Sequence, residues 1–334
     1  MRKIIAIILT LTLMVGLLSA CKSDSDSNEN VNSNVDEVVQ LRVLALKGPT
    51  GIGMAKMMDD AKNDGNKKYT FTVAGQPTEA VAAVSGGEVD IAAVPTNLAA
   101  TLYKKTEKGI KMLAVNTLGS LYILENGNEI NSISDLRGKT IYATGQGANP
   151  EYVLNYLLEK NGLIVGEDVN IEFKAEHSEL ATLMAAGECV LGMLPEPNVS
   201  SAMAQNSNLR IALNLNDEWN KVADADSKLT MGCVIVSKKF LEERPDTVEQ
   251  FMKDLEASVN YAVENPKETG TLCETYGIVP KAALATKAIP NCNLTFITGE
   301  DMKKSINGYL NLLFSANATS VGGELPDEEF YFTK

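Results

Sequence analysis

The pattern of apolar and polar positions between residues 76 and 95 recurs one hundred positions later, between residues 176 and 195. Each copy has an apolar run with helical spacing, a glycine, and a short apolar run that ends in proline. Glycine ends a helix readily because it adopts the left-handed conformation, and proline cannot continue the hydrogen-bond ladder of a strand. The matched pairs are Glu79 and Glu179, Gly87 and Gly187, Glu88 and Glu188, and Pro95 and Pro195.

A strand-like run precedes each copy, at residues 69–74 and 170–174, so each copy belongs to a β-α-β unit. Two such units at a constant offset predict two α/β lobes of similar construction. The alternative is that any two β-α-β units look alike. That alternative does not account for the matched Gly-Glu and Pro positions.

The remaining pattern divides between these two lobes. Further strands are predicted at residues 40–46, 112–116, 140–143, 209–213 and 231–236. A helix follows the first strand, another opens near residue 149, and from residue 238 onward the pattern is helical, whereas residues 214–228 form an irregular polar stretch. The predicted fold class is α/β with a mixed sheet flanked by helices in each lobe. One lobe takes residues 39–120 and 230–334, and the other takes residues 121–229, with crossings near residues 118–124 and 229–236.

The first twenty residues have the pattern of a secretory signal peptide. Arg2 and Lys3 precede an apolar run, and Leu-Ser-Ala closes it immediately before Cys21. This ending is similar to the lipobox of bacterial lipoproteins, in which the cysteine is acylated, and we therefore expect a lipid on Cys21. The alternative is an ordinary signal peptide with an incidental cysteine. Residues 21–38 are polar and poor in apolar side chains, which predicts a flexible tether.

Charge and composition narrow the range of partners. The 334 residues carry a formal net charge of −13, which favours neither a nucleic acid nor an anionic membrane surface as a partner. After the N-terminus no apolar stretch is long enough to span a membrane. The predicted membrane contact is therefore the lipid anchor alone, and no cofactor is predicted.

Four cysteines follow Cys21. Cys189 and Cys233 lie in apolar strand-like runs and are interpreted as buried small hydrophobes. Cys273 and Cys292 flank a short helical segment, and whether they form a disulfide is left open by the sequence. The absence of a Cys-x-x-Cys pair and the presence of only one histidine argue against a zinc site.

Candidate binding residues follow from where the predicted strands end. In open α/β sheets, ligands bind beyond the carboxyl ends of strands and at helix N-termini, and facing lobes bring such ends to one cleft. The candidates are Gly48, Thr50, Gly51, Gln76, Thr96, Asn97, Gln146, Gly147, Asn149, Glu196 and Trp219.

Each candidate has a simpler interpretation. Gly-Pro-Thr-Gly at residues 48–51 is also a turn and helix cap, and Gly145-Gln146-Gly147 lacks the third glycine of a dinucleotide loop. Glu196 either complements the helix dipole or accepts hydrogen bonds from an amino-bearing ligand. Trp219 either packs within its lobe or stacks on a ligand. Catalysis by His177 is not favoured, because no catalytic motif accompanies it.

Several motifs together resemble one family of binding proteins. They are the lipobox, Gly-Pro-Thr-Gly after the first strand, Gly-Glu-Val-Asp-Ile-Ala at residues 87–92, Ser-Asp-Leu-Arg-Gly-Lys at residues 134–139, and Glu196-Pro197. From about Gln40 to the C-terminus, the chain resembles the substrate-binding proteins of ABC transporters. The similarity is to the nitrate/sulfonate/thiamine-precursor-binding branch of the type II periplasmic binding fold.

The resemblance implies a two-lobed, Venus-flytrap protein that closes around a small solute by a hinge. It implies an extracytoplasmic, lipid-anchored monomer that delivers its solute to an ABC permease and its ATPase, and it implies no enzymatic activity. The candidate loops contain no arginine, and Lys47 is the only nearby base, so an amine-bearing heterocycle such as a thiamine precursor is favoured over nitrate or a sulfonate. The alternatives are an anion binder, a solute receptor for a membrane sensor, and an exported enzyme.

Overall fold

A computed structural model describes residues 40–64 and 68–333 of the chain. The predicted signal peptide, the tether and Cys21 lie outside these residues. The described residues belong to one compact unit.

The strands and helices alternate along most of the described chain. The strands are β1 (Leu41–Leu46), β2 (Tyr69–Ala74), β3 (Ile91–Pro95), β4 (Ile110–Leu118), β5 (Leu121–Asn126), β6 (Thr140–Thr144), β7 (Asn170–Lys174), β8 (Leu191–Pro195), β9 (Leu209–Asn214), β10 (Thr230–Ser237) and β11 (Leu294–Ile297). The helices are α1 (Pro49–Ile52), α2 (Ala55–Asn63), α3 (Pro77–Ser85), α4 (Thr96–Lys105), α5 (Asn149–Lys160), α6 (His177–Ala186), α7 (Asn198–Gln205), α8 (Leu215–Val222), α9 (Lys238–Glu243), α10 (Pro245–Glu264), α11 (Pro266–Thr275), α12 (Ala282–Ala288) and α13 (Gly299–Ala316). Short 3-10 turns cover Ile133–Leu136, Ile289–Asn291, Ala318–Val321 and Glu328–Phe330.

The strands form two mixed sheets. The first has the order β11-β4-β10-β3-β1-β2, and the second has the order β7-β6-β8-β5-β9. In the first sheet β1 is parallel to β2 and β3, whereas β10 is antiparallel to β3 and β4. In the second sheet β6 is parallel to β7 and β8, whereas β5 is antiparallel to β8 and β9. Both sheets thus combine a parallel β-α-β core with antiparallel strands.

The chain passes between the sheets at two places. β4 ends at Leu118 in the first sheet and β5 begins at Leu121 in the second, so Gly119 and Ser120 make the first crossing. The return runs from α8 through residues 223–229 to β10. The lobe limits that we propose, 39–120 with 230–334 and 121–229, follow this change of sheet.

The repeated pattern folds as its spacing predicts. The strand preceding each copy is β2 or β7, with the bounds expected from sequence, and the helices are α3 and α6. Gly87 and Gly187 have φ angles of 68° and 77°, in the left-handed region where glycine carries no Cβ penalty. Buried strands β3 and β8 then end at Pro95 and Pro195.

One predicted element is wrong. The stretch 214–228, interpreted as irregular, begins with α8, and Asn214 caps that helix by accepting a hydrogen bond from the Asn216 amide. Leu215 and Trp219 lie four residues apart on the buried face of α8. This spacing was the available signal, but the surrounding polar residues obscured it.

Candidate functional site

The predicted residues lie in the loops that leave the carboxyl ends of the parallel strands. In the first lobe these loops follow β1, β2 and β3, and in the second lobe they follow β6 and β8. Gln76, Gln146 and Gly147 are exposed, whereas Gly51, Thr96 and Glu196 are buried. Trp219 lies apart from these loops, within α8.

The loop after β1 is held by a residue that the sequence interpretation missed. The side-chain amide of Asn116, in β4, donates to the carbonyl oxygen of Thr50 at 2.9 Å, and Thr117 donates its hydroxyl to Asn116 Oδ1. Asn116 is buried at a strand position where an apolar residue is usual. That polar position inside an apolar strand was the signal that could have identified it.

The beginning of α4 contributes a buried hydroxyl. Thr96 is fully buried, and among the described residues its Oγ1 has no hydrogen-bond partner. Burial raises the pKa of the neighbouring Cys233 thiol, and the proximity of the Thr96 hydroxyl partly offsets that increase. Thr96 Oγ1 therefore retains hydrogen-bonding capacity.

Two predicted residues meet across the lobes. The Asn149 side-chain amide, at the start of α5, donates to Asn97 Oδ1 of α4 at 2.9 Å. Asn97 also donates to the Ser320 carbonyl, which ties this contact to the C-terminal region. The carboxyl ends of β3 and β6 therefore approach each other, as expected for facing lobes.

Glu196 follows β8 and is only 2 % exposed. Its Oε1 accepts hydrogen bonds from the Ser200 hydroxyl and the Asn291 side-chain amide, both at 2.9 Å, and its Oε2 accepts one from the Ser200 amide at 3.1 Å. Burial raises the pKa of Glu196, and these hydrogen bonds oppose the increase. Oε2 accepts a single bond, so it retains capacity for another donor.

Four helices near these loops have a glutamate bound to backbone amides at their N-termini. Glu79 accepts from the Gly75 and Gln76 amides, and the matching Glu179 accepts from the Ala175 amide. Glu151 accepts from the Gly147 amide at the start of α5, and Glu196 accepts from the Ser200 amide in α7. These carboxylates occupy amides that would otherwise attract an anion. In contrast, α1 and α4 begin without an acidic residue in the first turn.

Trp219 packs in the interior. It is 1 % exposed, and its ring centroid lies 4.9 Å from that of Tyr156 in α5 and 6.1 Å from that of Tyr309 in α13. Its indole nitrogen donates to the Ser227 carbonyl at 3.3 Å. Of the two interpretations that the sequence left open, this environment favours packing.

His177 lies at the start of α6, with Nδ1 2.5 Å from the Thr144 hydroxyl at the end of β6. Burial lowers the pKa of His177, and the Glu176 charge partly offsets this effect. The imidazole is thus held neutral near pH 7. The tautomer of the imidazole determines whether Nδ1 donates to the Thr144 hydroxyl or accepts from it.

The described cysteines are free and buried, so Cys273 and Cys292 are not joined by a disulfide. Within residues 40–64 and 68–333, no group of three or more His, Cys, Asp or Glu side chains is arranged to hold a metal ion. No helix in the same part of the chain is long and apolar enough to cross a membrane.

Comparison with known proteins identifies the family of the chain. Residues 70–269 match the sequence model of the family described as NMT1/THI5 like. No curated protein sequence is significantly similar to the chain.

Solved structures include several with the same fold. An ABC transporter protein from Parabacteroides distasonis is 28% identical, with a TM-score of 0.74 over 88% of this chain and 99% of that one. The periplasmic aliphatic sulphonate binding protein SsuA from Escherichia coli is 14% identical, with a TM-score of 0.66 over 88% and 92%. The alkanesulfonate-binding protein SsuA from Xanthomonas axonopodis pv. citri, bound to MOPS, is 17% identical, with a TM-score of 0.59 over 87% and 96%. These similarities confirm the predicted two-lobed α/β fold.

Proposed function

Because this chain belongs to the NMT1/THI5-like family, we propose that it is the solute-binding component of an ABC importer. It binds a small organic solute between its lobes and is not an enzyme. Its partners are an ABC permease and the ATPase of that permease. The observation that carries the proposal is the two-lobed fold, shared over most of the chain with an ABC transporter protein.

The binding site that we propose lies where the loops after β1 and β3 face those after β6 and β8. Asn97 and Asn149 already bring the two lobes within hydrogen-bond distance there. Thr50, Thr96 and Asn116 supply neutral polar groups from the first lobe. Closing two such surfaces around a solute by hinge motion is a known use of this architecture.

The charge distribution favours a neutral or amine-bearing solute, such as an aminopyrimidine-type thiamine precursor. Glu151 and Glu196 occupy backbone amides at the starts of α5 and α7, where an anion would otherwise bind. The candidate loops contain no arginine, and Lys47 is exposed. A buried carboxylate with spare acceptor capacity suits a donor such as an amino group.

The second candidate is an anion binder, because two of the similar structures are sulfonate-binding proteins by description. Those proteins are less than a fifth identical to this chain, so they support the fold and not the ligand. The α4 N-terminus, which has no acidic residue in its first turn, is available to a sulfonate or nitrate.

Thermal unfolding against a panel of solutes tests the function. The panel contains pyrimidines, thiamine and other vitamins, amines, sulfonates, nitrate and bicarbonate. A ligand present at one hundred times its Kd adds about 2.7 kcal/mol to the free energy of unfolding, which raises Tm by a few degrees.

We expect that increase with an amine-bearing ring. An increase with a sulfonate or nitrate alone would keep the transport function and overturn the ligand class. Catalytic turnover of any panel solute, abolished in His177→Ala, would overturn the binding function itself.

Replacing Glu196 by glutamine tests its proposed role. The amide keeps the shape of the carboxylate but loses the charge, so affinity for an amine-bearing solute should fall about 10- to 100-fold, because a hydrogen bond to a charged group contributes about 1.5–3 kcal/mol. Since burial raises the pKa of Glu196, wild-type affinity should also fall as the pH is lowered through that pKa and the carboxylate takes up a proton. Isothermal titration calorimetry across a pH series measures both effects.

The Glu196→Gln variant should bind the amine-bearing solute more weakly, and its affinity should depend less on pH. The control is Glu88→Gln, which removes an exposed carboxylate away from the strand ends. Equal affinity in wild type and Glu196→Gln would remove the basis for the amine-bearing ligand.

The location follows from the same proposal. Proteins described as periplasmic are among the similar structures, and an extracytoplasmic position agrees with the N-terminal sequence pattern. We propose further that the chain is a monomer held to the membrane by a lipid on Cys21. Cys21→Ala should release the protein from the membrane fraction, and retention there would contradict lipid anchoring.

A solute receptor that signals to a membrane sensor would use the same fold. The two functions differ in their partner. Co-purification with a permease, or solute uptake that requires this chain, distinguishes transport from sensing.

A further inference from the structure

The first crossing between the lobes is held by a short segment from the C-terminal part of the chain. Asn293 donates its side-chain amide to the Gly119 carbonyl, and its own carbonyl accepts from the Leu118 amide at 3.0 Å. Asn293 has a positive φ of 48°, a conformation that asparagine tolerates better than most residues. We call residues Asn291–Asn293 the hinge brace.

The other end of the hinge brace contacts the second lobe. The Asn291 side-chain amide donates to Glu196 Oε1 at 2.9 Å, and the Asn291 carbonyl accepts from the Tyr122 hydroxyl at 2.6 Å. Glu196 is itself next to the crossing, because its amide donates to the Ser120 carbonyl at 3.0 Å. The hinge brace thus forms hydrogen bonds both with the first crossing and with the side chains of Glu196 and Tyr122 in the second lobe.

The crossing is also sterically confined. A Cβ on Gly119 would lie 2.6 Å from Leu229 Cδ2 and 3.0 Å from Asn216 Cβ, so the return connection packs directly against it. Glu196 and Tyr122 are both buried. Hydrogen bonds in such surroundings are stronger than at the surface, and leaving one of their groups unpaired is costly.

We propose that Asn291 is a positioning residue: through Glu196 it holds the two lobes in the arrangement in which Asn97 and Asn149 are hydrogen-bonded across them, and so sets the affinity for solute without contacting it. The reason is thermodynamic: a solute that binds only the closed arrangement has an apparent affinity proportional to the fraction of molecules that are closed. The inference rests on the proposed function, because it concerns the regulation of the same site.

The groups that face Glu196 determine how the contact can be tested. The Tyr122 hydroxyl comes from β5 and the Cys292 thiol from the hinge brace, and burial keeps both protonated by raising their pKa values. Asp217 of α8 acts on Tyr122 from further away. The hydrogen-bond partners of the Glu196 carboxylate, Ser200 and Asn291, are neutral. A second carboxylate placed at residue 291 would therefore meet Glu196 without a neutralising partner.

The experiment compares Asn291→Asp, Glu196→Gln with Asn291→Asp, and wild type, each as the chain from residue 22 without added solute. Small-angle X-ray scattering measures the radius of gyration near pH 7.5 and pH 5, and circular dichroism verifies folding. Two ionised carboxylates repel in Asn291→Asp, so its radius should exceed that of wild type at the higher pH. The radius should return toward that of wild type at the lower pH, because a protonated carboxyl can donate to the other carboxylate.

The double variant has the same net charge as wild type and restores the bond with donor and acceptor exchanged, so it should stay compact at both pH values. Asn208→Asp is the matched control, because it adds the same charge at an exposed position of the second lobe. If Asn291→Asp does not fold, Asn291→Ser replaces it, since it removes the amide without adding charge and should enlarge the radius at both pH values.

A radius for Asn291→Asp equal to that of Asn208→Asp at both pH values would overturn the hinge brace. Enlargement of the double variant equal to that of Asn291→Asp would also overturn it. The proposed function is tested separately by the solute panel on wild type. Failure of the hinge-brace proposal and failure of the proposed function therefore give different experimental results.

Discussion

Replacement of Trp219 by alanine should lower the free energy of unfolding by about 3–5 kcal/mol, the usual cost of removing a buried large aromatic side chain. The indole is almost fully buried between Tyr156 of α5 and Tyr309 of α13. Under the proposed lobe limits, α5 and α8 belong to one lobe and α13 to the other, so the cavity would also weaken packing between the lobes. Urea unfolding followed by far-ultraviolet circular dichroism measures the change, because the variant lacks the chain's single tryptophan.

Trp219→Phe is the matched variant. It retains an aromatic ring in the same pocket and should cost less, about 1–2 kcal/mol. Because Trp219 packs rather than stacks on a ligand, solute affinity in Trp219→Phe should equal that of wild type. A large loss of affinity with little loss of stability would restore the stacking interpretation.

Replacement of Gly51 by alanine should lower the free energy of unfolding by about 2–4 kcal/mol, within the range of overpacking a rigid site. An added Cβ would lie 2.2 Å from the Leu46 carbonyl oxygen, and this neighbour is backbone that cannot rotate away. The loop after β1 would have to move, which would stretch the hydrogen bond from Asn116 to the Thr50 carbonyl. Urea unfolding measures the stability, and the solute panel shows whether binding is lost with it.

Gly75→Ala is the control for that prediction. Its Cβ would meet only Glu79 Oε1 at 3.4 Å, an ordinary contact. The expected change is within about 0.5 kcal/mol, since surface substitutions away from special features are usually neutral. Equal effects at Gly51 and Gly75 would show that the close approach at Leu46 does not constrain residue 51.

The candidate site was partly predictable from sequence because chain position indicates where strands end. Asn97 and Asn149 were expected at a common cleft from the rule for carboxyl ends of strands, and they are hydrogen-bonded to each other. Asn116 and Asn291 were missed. Asn116 lies inside a strand and Asn291 in a 3-10 turn, 95 residues after its partner Glu196. Neither belongs to a motif, so their partners could be found only in three dimensions.

For Glu196 and Trp219, the sequence allowed two interpretations each. Glu196 precedes α7 and Trp219 lies in α8. Hydrophobic periodicity indicates a helix but does not identify the atoms that contact a given side chain. Packing of α13 against α5 and α8 buries Trp219. The turn before β11 brings the Asn291 amide to Glu196. In each case the neighbouring group comes from a distant part of the chain.

The sequence by itself determined the repeated β-α-β units, the glycine-terminated helices and the two-lobed fold class, since these depend on local periodicity and on backbone freedom at single residues. Tertiary structure alone decided which side chains meet across the lobes and which segment holds the crossing at Gly119. Local patterns specify secondary structure because their interactions span only a few residues. Hydrogen bonds between distant segments depend on how the completed sheets and helices pack.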